Sequence, residues 1–554
     1  MILNRLWMRW AAVLGATVGA IGFASDSAAP ALSVIPQPRQ AALRPGAFVL
    51  SKGMTISATP DVLKEARYLQ QRLRAATGFE VPLVAADPSA AIFLRLDENI
   101  TEAEGYRIRV TASGVHLTGK RPAGVFYAIQ TLRQILPPEI ESPTPVAGVD
   151  WRIPAVEIED APQFAWRGFM LDEARHFFGK EHVRQLLEEM ALRKLNTFHW
   201  HLTDSPGWRL EIPSYPKLTT IGAIGNHSDP RAPARFYTQA DIREIVAFAA
   251  ERHIQIVPEI DMPGHAAAAN RAYPEHSGGG SVQHPDFTFH PALPRTRAYL
   301  TTILRETARQ FPAPYLHFGG DEVHFGNQAW DALPEVVEMM KREGLRDRLA
   351  VEHQFNRDMA GVIAGLGKIT VGWDEIVEAG VPPRRSLILW WRHNKPEVLQ
   401  NALKKNYRVV LCPRIPCYFD FVQSPAHQAG RRWDGQFCPL DRVYAGPAIP
   451  DGYESQLLGM QACLWSEAIA TPDRAHFMTF PRLDAFAEAA WLGRSPQKDY
   501  EDFLRRLPSM LLRLELHGIP YFNPFRPELT PEIGVHGTRE HPASPHQATP
   551  QIDD

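Results

Sequence analysis

Residues Tyr315 to Phe325 read YLHFGGDEVHF. A short apolar run ends in two glycines, and two adjacent acids, Asp321 and Glu322, follow at once. Glycine opens backbone conformations closed to other residues and allows close approach of a ligand. Neighbouring residues of an extended chain point to opposite sides, so the two acids are able to face two parts of one bound molecule. An isolated Asp-Glu pair is more often a solvated surface turn, and the surrounding pattern has to decide.

Working outward, the run at 314–318 is the fourth of eight apolar strand candidates, at 166–171, 196–202, 254–260, 314–318, 368–373, 386–391, 408–412 and 457–463. Helical stretches separate most of them; the clearest is Glu181 to Arg193, with Val183, Leu186, Leu187 and Met190 on one face. The fold class this predicts is α/β, a (β/α)8 TIM barrel over 160–520. Barrel active sites gather at the C-terminal ends of the strands. Asp204 follows the second strand, Asp261 and His265 the third, and Asp321 and Glu322 the fourth. Trp373, Trp391, Tyr418, Trp465 and Glu467 lie at or after strands five to eight.

Before the barrel, residues 33–155 read as a smaller α+β domain. Tyr106–Val110 and Val115–Thr118 form a strand pair across Ser113-Gly114, the helical GVFYAIQTLRQIL follows, and Pro137, Pro138, Pro143 and Pro145 mark the crossing to the next region. Residues 1–28 read as a secretory signal peptide: Arg5 and Arg9 precede an apolar stretch that ends in small residues. The expected location is periplasmic or extracellular, lysosomal in a eukaryote, with no membrane association after cleavage. Residues 528–554, rich in Pro, His and small polar residues, read as a disordered tail.

A net charge of -3 without long blocks of one sign excludes a polyanionic partner, so no nucleic acid is expected. The four cysteines, Cys412, Cys417, Cys438 and Cys463, have no CxxC zinc pattern, and disulfides and buried thiols stay equally open. No cofactor and no metal is expected, and oligomeric state is undetermined.

Taken singly, a tryptophan at a strand end is commonly core and a lone histidine commonly structural. Their coincidence with acids on one rim is the composition of a sugar site, where flat rings pack on apolar sugar faces and carboxylates bind hydroxyls.

The motifs AWRGFMLDEARHFF (165–178), HWHLTD (199–204), PEIDMPGH (258–265), HFGGDEV (317–323), VGWDE (371–375) and CLWSE (463–467) together resemble the family 20 glycoside hydrolases, the β-N-acetylhexosaminidases, over about Ile35 to Tyr521. The resemblance implies exo-acting hydrolysis of terminal β-linked GlcNAc or GalNAc from a glycan partner. The substrate's own 2-acetamido oxygen is then the nucleophile, an exception to the two-carboxylate scheme. It implies that Glu322 is the general acid, that Asp321 binds the acetamido N–H and that Tyr418 binds the acetamido oxygen. Asp204 and His265 would buttress Glu322 and keep its pKa high enough to hold a proton. Arg167, Glu467 and Asp420 would grip sugar hydroxyls, and Trp373, Trp391 and Trp465 would wall the pocket. Of the adjacent Trp390 and Trp391, alternation lets only one face inward, and Trp391 is expected to. Ser205 and Pro206 depart from the family, which has an acidic residue and Gln before Gly207-Trp208.

Two other readings compete. A metal-dependent amidohydrolase would use His199, His201, His265 and Asp321 as ligands. A catalytically silent glycan-binding protein would use the same barrel without turnover.

Overall fold

The computed structural model describes residues 32–432 and 435–542. The signal peptide expected at 1–28 and the last part of the expected tail, 543–554, lie outside the described residues.

The N-terminal domain is a seven-stranded sheet: β1 (Gln40–Val49), β2 (Ile56–Ala58), β3 (Leu83–Val84), β4 (Ile92–Leu96), β5 (Tyr106–Thr111), β6 (Gly114–Gly119) and β7 (Arg152–Asp160), in the order β1-β7-β5-β6-β4-β2-β3. In β5, Tyr106, Ile108 and Val110 are buried while the residues between them are less so, the two-residue period of a strand with one covered face. The helix Pro122–Ile135 starts on a proline in its first turn, where no backbone N–H is needed, and buries Val125, Phe126, Ile129 and Leu132. The proline-rich segment after it is a loop within this domain, not an exit from it. The chain returns as β7, pairing antiparallel with both β1 and β5, so the boundary expected at 155 falls after Asp160. Partners far away in sequence fixed this, and a strand of alternating Glu and apolar residues at a domain edge carries no mark of them.

The barrel strands are β8 (Trp166–Asp172), β9 (Thr197–His201), β12 (Gln255–Met262), β13 (Tyr315–Gly319), β14 (Ile369–Trp373), β15 (Ser386–Trp390), β16 (Arg408–Leu411) and β17 (Leu457–Leu464), all parallel and closed on themselves. Between the second and third lies a short hairpin, β10 (Thr203–Asp204) with β11 (Gly207–Trp208). All eight strand candidates are present in the expected order. The helix expected at 181–193 runs Lys180–Leu192 and buries Val183, Leu186, Leu187 and Met190. Among the described residues no helix is long and apolar enough to cross a membrane.

Arg167, the second residue of β8, sits at the opposite end of the barrel from the expected site. Its guanidinium donates to Glu104 Oε2 (2.7 Å), the Phe164 carbonyl (2.7 Å), the Lys194 carbonyl (2.9 Å) and the Tyr127 hydroxyl (3.0 Å). Glu104 and Tyr127 belong to the N-terminal domain, so this arginine joins the two domains beneath the barrel. Its expected role in holding sugar is corrected: one strand length separates it from the C-terminal ends.

The chain does not loosen at 528. The backbone N–H groups of Gln428 (2.6 Å) and Ala429 (2.9 Å) donate to the Glu532 carboxylate, Ala470 N donates to the Val535 carbonyl (3.0 Å), and Val535 is buried. The tail reading is therefore corrected for 528–542: polar composition hid a segment whose backbone and Glu532 carboxylate are matched to the barrel's last loops. All four cysteines are buried free thiols.

Candidate active site

The C-terminal ends of the strands enclose a cavity of about 200 Å³. Asp204, His265, Asp321, Glu322, Trp373, Trp391, Tyr418, Trp465 and Glu467 line it, as expected from the sequence. Arg167 and Asp420 do not. Asp420 lies 2.8 Å from Nε of Arg431, which does line the cavity.

The two glycines of the opening stretch have a steric reason. Gly319 has φ +72°, and a Cβ there would stand 1.9 Å from Oδ1 of Asp261; Gly320 has φ +90°. Only glycine lets β13 end against that carboxylate while turning the chain so sharply. Glu322 then takes a left-handed conformation (φ 50°, ψ 21°), and His265 another (φ 53°). Non-glycine residues are rarely held there, and such conformations cluster at functional sites.

A line of charge runs through these residues. Asp204 Oδ2 is 2.8 Å from Arg175 and 3.2 Å from His201 Nε2, and its Oδ1 is 3.3 Å from His265 Nδ1. The other ring nitrogen of His265 faces both acids, 3.6 Å from Asp321 Oδ2 and 3.4 Å from Glu322 Oε2. Burial opposes charge on His265, but Asp204 and Asp261 beside it prevail and hold its pKa well above the ordinary value. Burial pushes Asp321 up to about 7, against the pull of His265 and with the charge of Glu322 adding. Burial acts on Glu322 too, yet the hydrogen bond and charge of His265, helped by Arg175 and Arg431, bring it below the ordinary value. The sequence reading expects Asp204 and His265 to keep Glu322 protonated, whereas the charge of His265 lowers the pKa of Glu322 and burial raises that of Asp321. A charged imidazole favours the carboxylate form of Glu322, and burial favours the protonated form of Asp321.

Below this line, Glu259 accepts from His199 Nε2 (2.9 Å), His201 Nδ1 (2.5 Å) and Trp373 Nε1 (2.9 Å), and His317 Nδ1, which accepts the Gly319 N–H, lies 2.9 Å from it. This fully buried carboxylate fixes the Trp373 indole and connects through His201 to Asp204. The two histidines face different partners: His199 meets Gln461 with its second nitrogen (2.9 Å) and gathers with Glu259 and His317, while His201 meets Asp204 and gathers with it and Asp261. The ligand set of the amidohydrolase reading, His199 with His201, His265 and Asp321, does not converge on one point. His265 and Asp321 gather instead with Asp261, their ligating atoms within 4.8 Å of one another.

The aromatic wall is built from strand ends. Trp373 and Trp465 lie 5.7 Å apart at 42°, and Tyr418 lies 6.0 Å from Trp465. Trp391, one residue past β15, donates its indole N–H to Glu375 (3.1 Å). It faces the cavity, which Trp390 does not line.

Two arginines were missed. Arg175, three residues beyond the end of β8, stacks its guanidinium 5.0 Å from the Trp465 ring, and Arg431 donates to Glu467 (3.1 Å). These cations overcome the burial of Glu467 and hold its pKa at about 2. Arg175 stands in the same motif as Arg167, and strand direction alone distinguishes them. Arg431 lies in a loop without periodicity, and nothing in the sequence marks it.

Residues 164–494 match the model of the glycosyl hydrolase family 20 catalytic domain and residues 31–161 that of domain 2 of the same family. The chain is similar to a beta-hexosaminidase of Porphyromonas gingivalis, 34% identical over 509 residues, covering 89% of this chain and 64% of that protein. It thus spans less than two thirds of that relative's length. A beta-hexosaminidase of Vibrio furnissii is 34% identical over 488 residues, covering 84% of this chain and 77% of its own. The crystal structure of a family 20 exo beta-N-acetylglucosaminidase from Vibrio harveyi, in complex with N-acetylglucosamine, superposes with a TM-score of 0.80 at 32% identity, over 89% of this chain and 79% of that one.

Proposed function

The chain belongs to glycosyl hydrolase family 20, and from that premise we propose that it is an exo-acting β-N-acetylhexosaminidase, releasing terminal β-linked N-acetylhexosamine by substrate-assisted, retaining catalysis. One observation carries the mechanism: Asp321 and Glu322 converge on a single nitrogen of His265. Retaining enzymes with an enzymic nucleophile place two carboxyl groups on either side of the anomeric carbon, about 5–5.5 Å apart. Asp321 and Glu322 are chain neighbours just past the end of β13, and membership of family 20 supports a different division of work for them, in which the substrate's acetamido oxygen attacks.

In this reading the sugar's acetamido N–H donates to Asp321 and its oxygen accepts from Tyr418. Donation to Asp321 favours its carboxylate, and that charge beside Glu322 raises the proton affinity of Glu322. The proton that burial favours on Asp321 then passes to Glu322, which gives it to the leaving oxygen. Glu322 is the more exposed of the two acids, its side chain 24% accessible against 12% for Asp321. It has the path to solvent that later activation of water needs. Asp321, once ionised, offsets the positive charge that grows on the acetamido group. Arg175 and Glu467 grip hydroxyls, and the three tryptophans enclose the ring and the acetamido methyl.

The test is a matched pair of aryl β-glycosides with the same leaving group, one with a 2-acetamido and one with a 2-hydroxyl substituent. Only the first is expected to turn over. Comparable turnover of both would contradict substrate assistance.

A further inference from the structure

A second cavity of about 330 Å³ opens off the first, and Ser205, Pro206, His227, His284 and Phe287 line both. Its volume is within the range of small-molecule sites. It lies on the side of the acid. Phe287 packs edge-on against His265 (4.8 Å between ring centres), and His284 stacks on Phe325 (5.4 Å, 19°), three residues after Glu322. A group leaving through protonation by Glu322 therefore departs next to this second space, while the tryptophan wall encloses the sugar that stays.

The charge of this cavity is one-sided. Arg271, outside the cavity that takes the terminal sugar, is the one lining residue with a permanent charge, and among the described residues no carboxylate lines the space. Its Nη2 donates to the carbonyls of Gly222 (3.2 Å) and Ile224 (3.0 Å), which fixes the guanidinium plane and leaves Nε and Nη1 uncommitted. The acids adjoining the lining residues Pro230 and Pro285 are engaged elsewhere: Asp229 accepts from the backbone N–H of Arg231 (2.9 Å) and Asp286 from the Ser277 hydroxyl (2.9 Å). His227 and His284 add donors, Phe287 offers a flat face to a sugar ring, and Ser205-Pro206 brings no acid to the shared edge. A planar guanidinium with free donors in a carboxylate-free pocket matches a carboxylate.

We infer that this second cavity takes the sugar next to the terminal one, and that Arg271 makes an acidic sugar the preferred occupant. The inference rests on the hexosaminidase reading, and one set of assays separates the two. Three substrates are compared for the full chain and for Arg271→Gln and Arg271→Glu: p-nitrophenyl β-N-acetylglucosaminide, N-acetylglucosaminyl-β-1,4-glucose, and N-acetylglucosaminyl-β-1,4-glucuronate. The two disaccharides differ only in the carboxylate. The unaltered protein should favour the glucuronate in kcat/KM by roughly 10-fold at low salt, the ratio that one well-made charged contact supplies, and the ratio should shrink with added salt. Arg271→Gln should abolish the preference and Arg271→Glu reverse it, with the aryl substrate changing less than about twofold. A preference absent in the unaltered protein, or unchanged in Arg271→Gln, overturns the inference. Failure to cleave the aryl substrate overturns the hexosaminidase reading and this one with it.

Discussion

The two ends of the barrel treat charge in opposite ways. At the closed end, every nitrogen of Arg167 has a partner: carbonyls, Glu104 and the Tyr127 hydroxyl. At the open end, both carboxylate oxygens of Asp261 and Oδ1 of Asp321 are buried without a hydrogen-bond partner. Burying a polar group alone costs free energy, and burying a charge alone costs more. Arg167 avoids that cost; Asp321 carries it inside the cavity, where a ligand would relieve it, and Asp261, against the glycines that end β13, carries it outside the lining. Arg167, which holds the two domains together, is saturated, whereas Asp321, which lines the cavity, is left with an unpaired oxygen.

The largest expected effect on this contrast comes from Glu322→Gln. General acid catalysis is worth ~100- to 10,000-fold, so turnover should fall in that range for poor leaving groups and less for good ones, with folding stability little changed. An equal loss for all leaving groups would remove Glu322 from the acid's role. Arg167→Met should do the reverse. Removing one partner of a buried ion pair costs about 3–5 kcal/mol, to be read from denaturant unfolding, while protein that remains folded keeps its turnover number. If Arg167→Met instead lowered turnover without loss of stability, the two ends would not be as different as described. The smallest expected effect is that of a chelator. Asp261, His265 and Asp321 gather closely enough to hold a cation, but a proton on the carboxyls satisfies them as well. Dialysis against EDTA should leave kcat/KM within about twofold, and a larger loss restored by one divalent ion would return the amidohydrolase type of site to contention.

Much of the fold was legible because barrel strands buried on both faces are short apolar runs, and all eight appear as such. Most of the rim followed from one rule, that residues just past the strand ends meet the ligand. The same rule, applied to the stretch 165–178, separates Arg167 inside β8 from Arg175 beyond it; motif resemblance without strand direction chose the wrong one. The extent of the N-terminal sheet and the packing of 528–542 were not legible, since both depend on partners distant in the chain, β1 and β5 for β7, and the loops near 429 and 470 for the C-terminal segment. The protonation of the acid pair was not legible either. It depends on the His265 ring standing between Asp204 and the two acids, a placement that only the fold supplies.

The most direct measurement is the stability of Asp321→Asn against the unaltered chain as a function of pH, with turnover measured alongside. The folded-state pKa of Asp321 is raised, to about 7 from an ordinary 3.8, so the folded protein binds this proton more tightly than the unfolded one. The stability it contributes is present at low pH and is lost as pH rises through that window. The account predicts that the two proteins are alike near pH 4, that Asp321→Asn becomes the more stable as pH rises toward about 7, and that its turnover of N-acetylated substrate collapses. A variant less stable at every pH, or one that keeps its turnover, would contradict the claim that the open end gives up stability for catalysis.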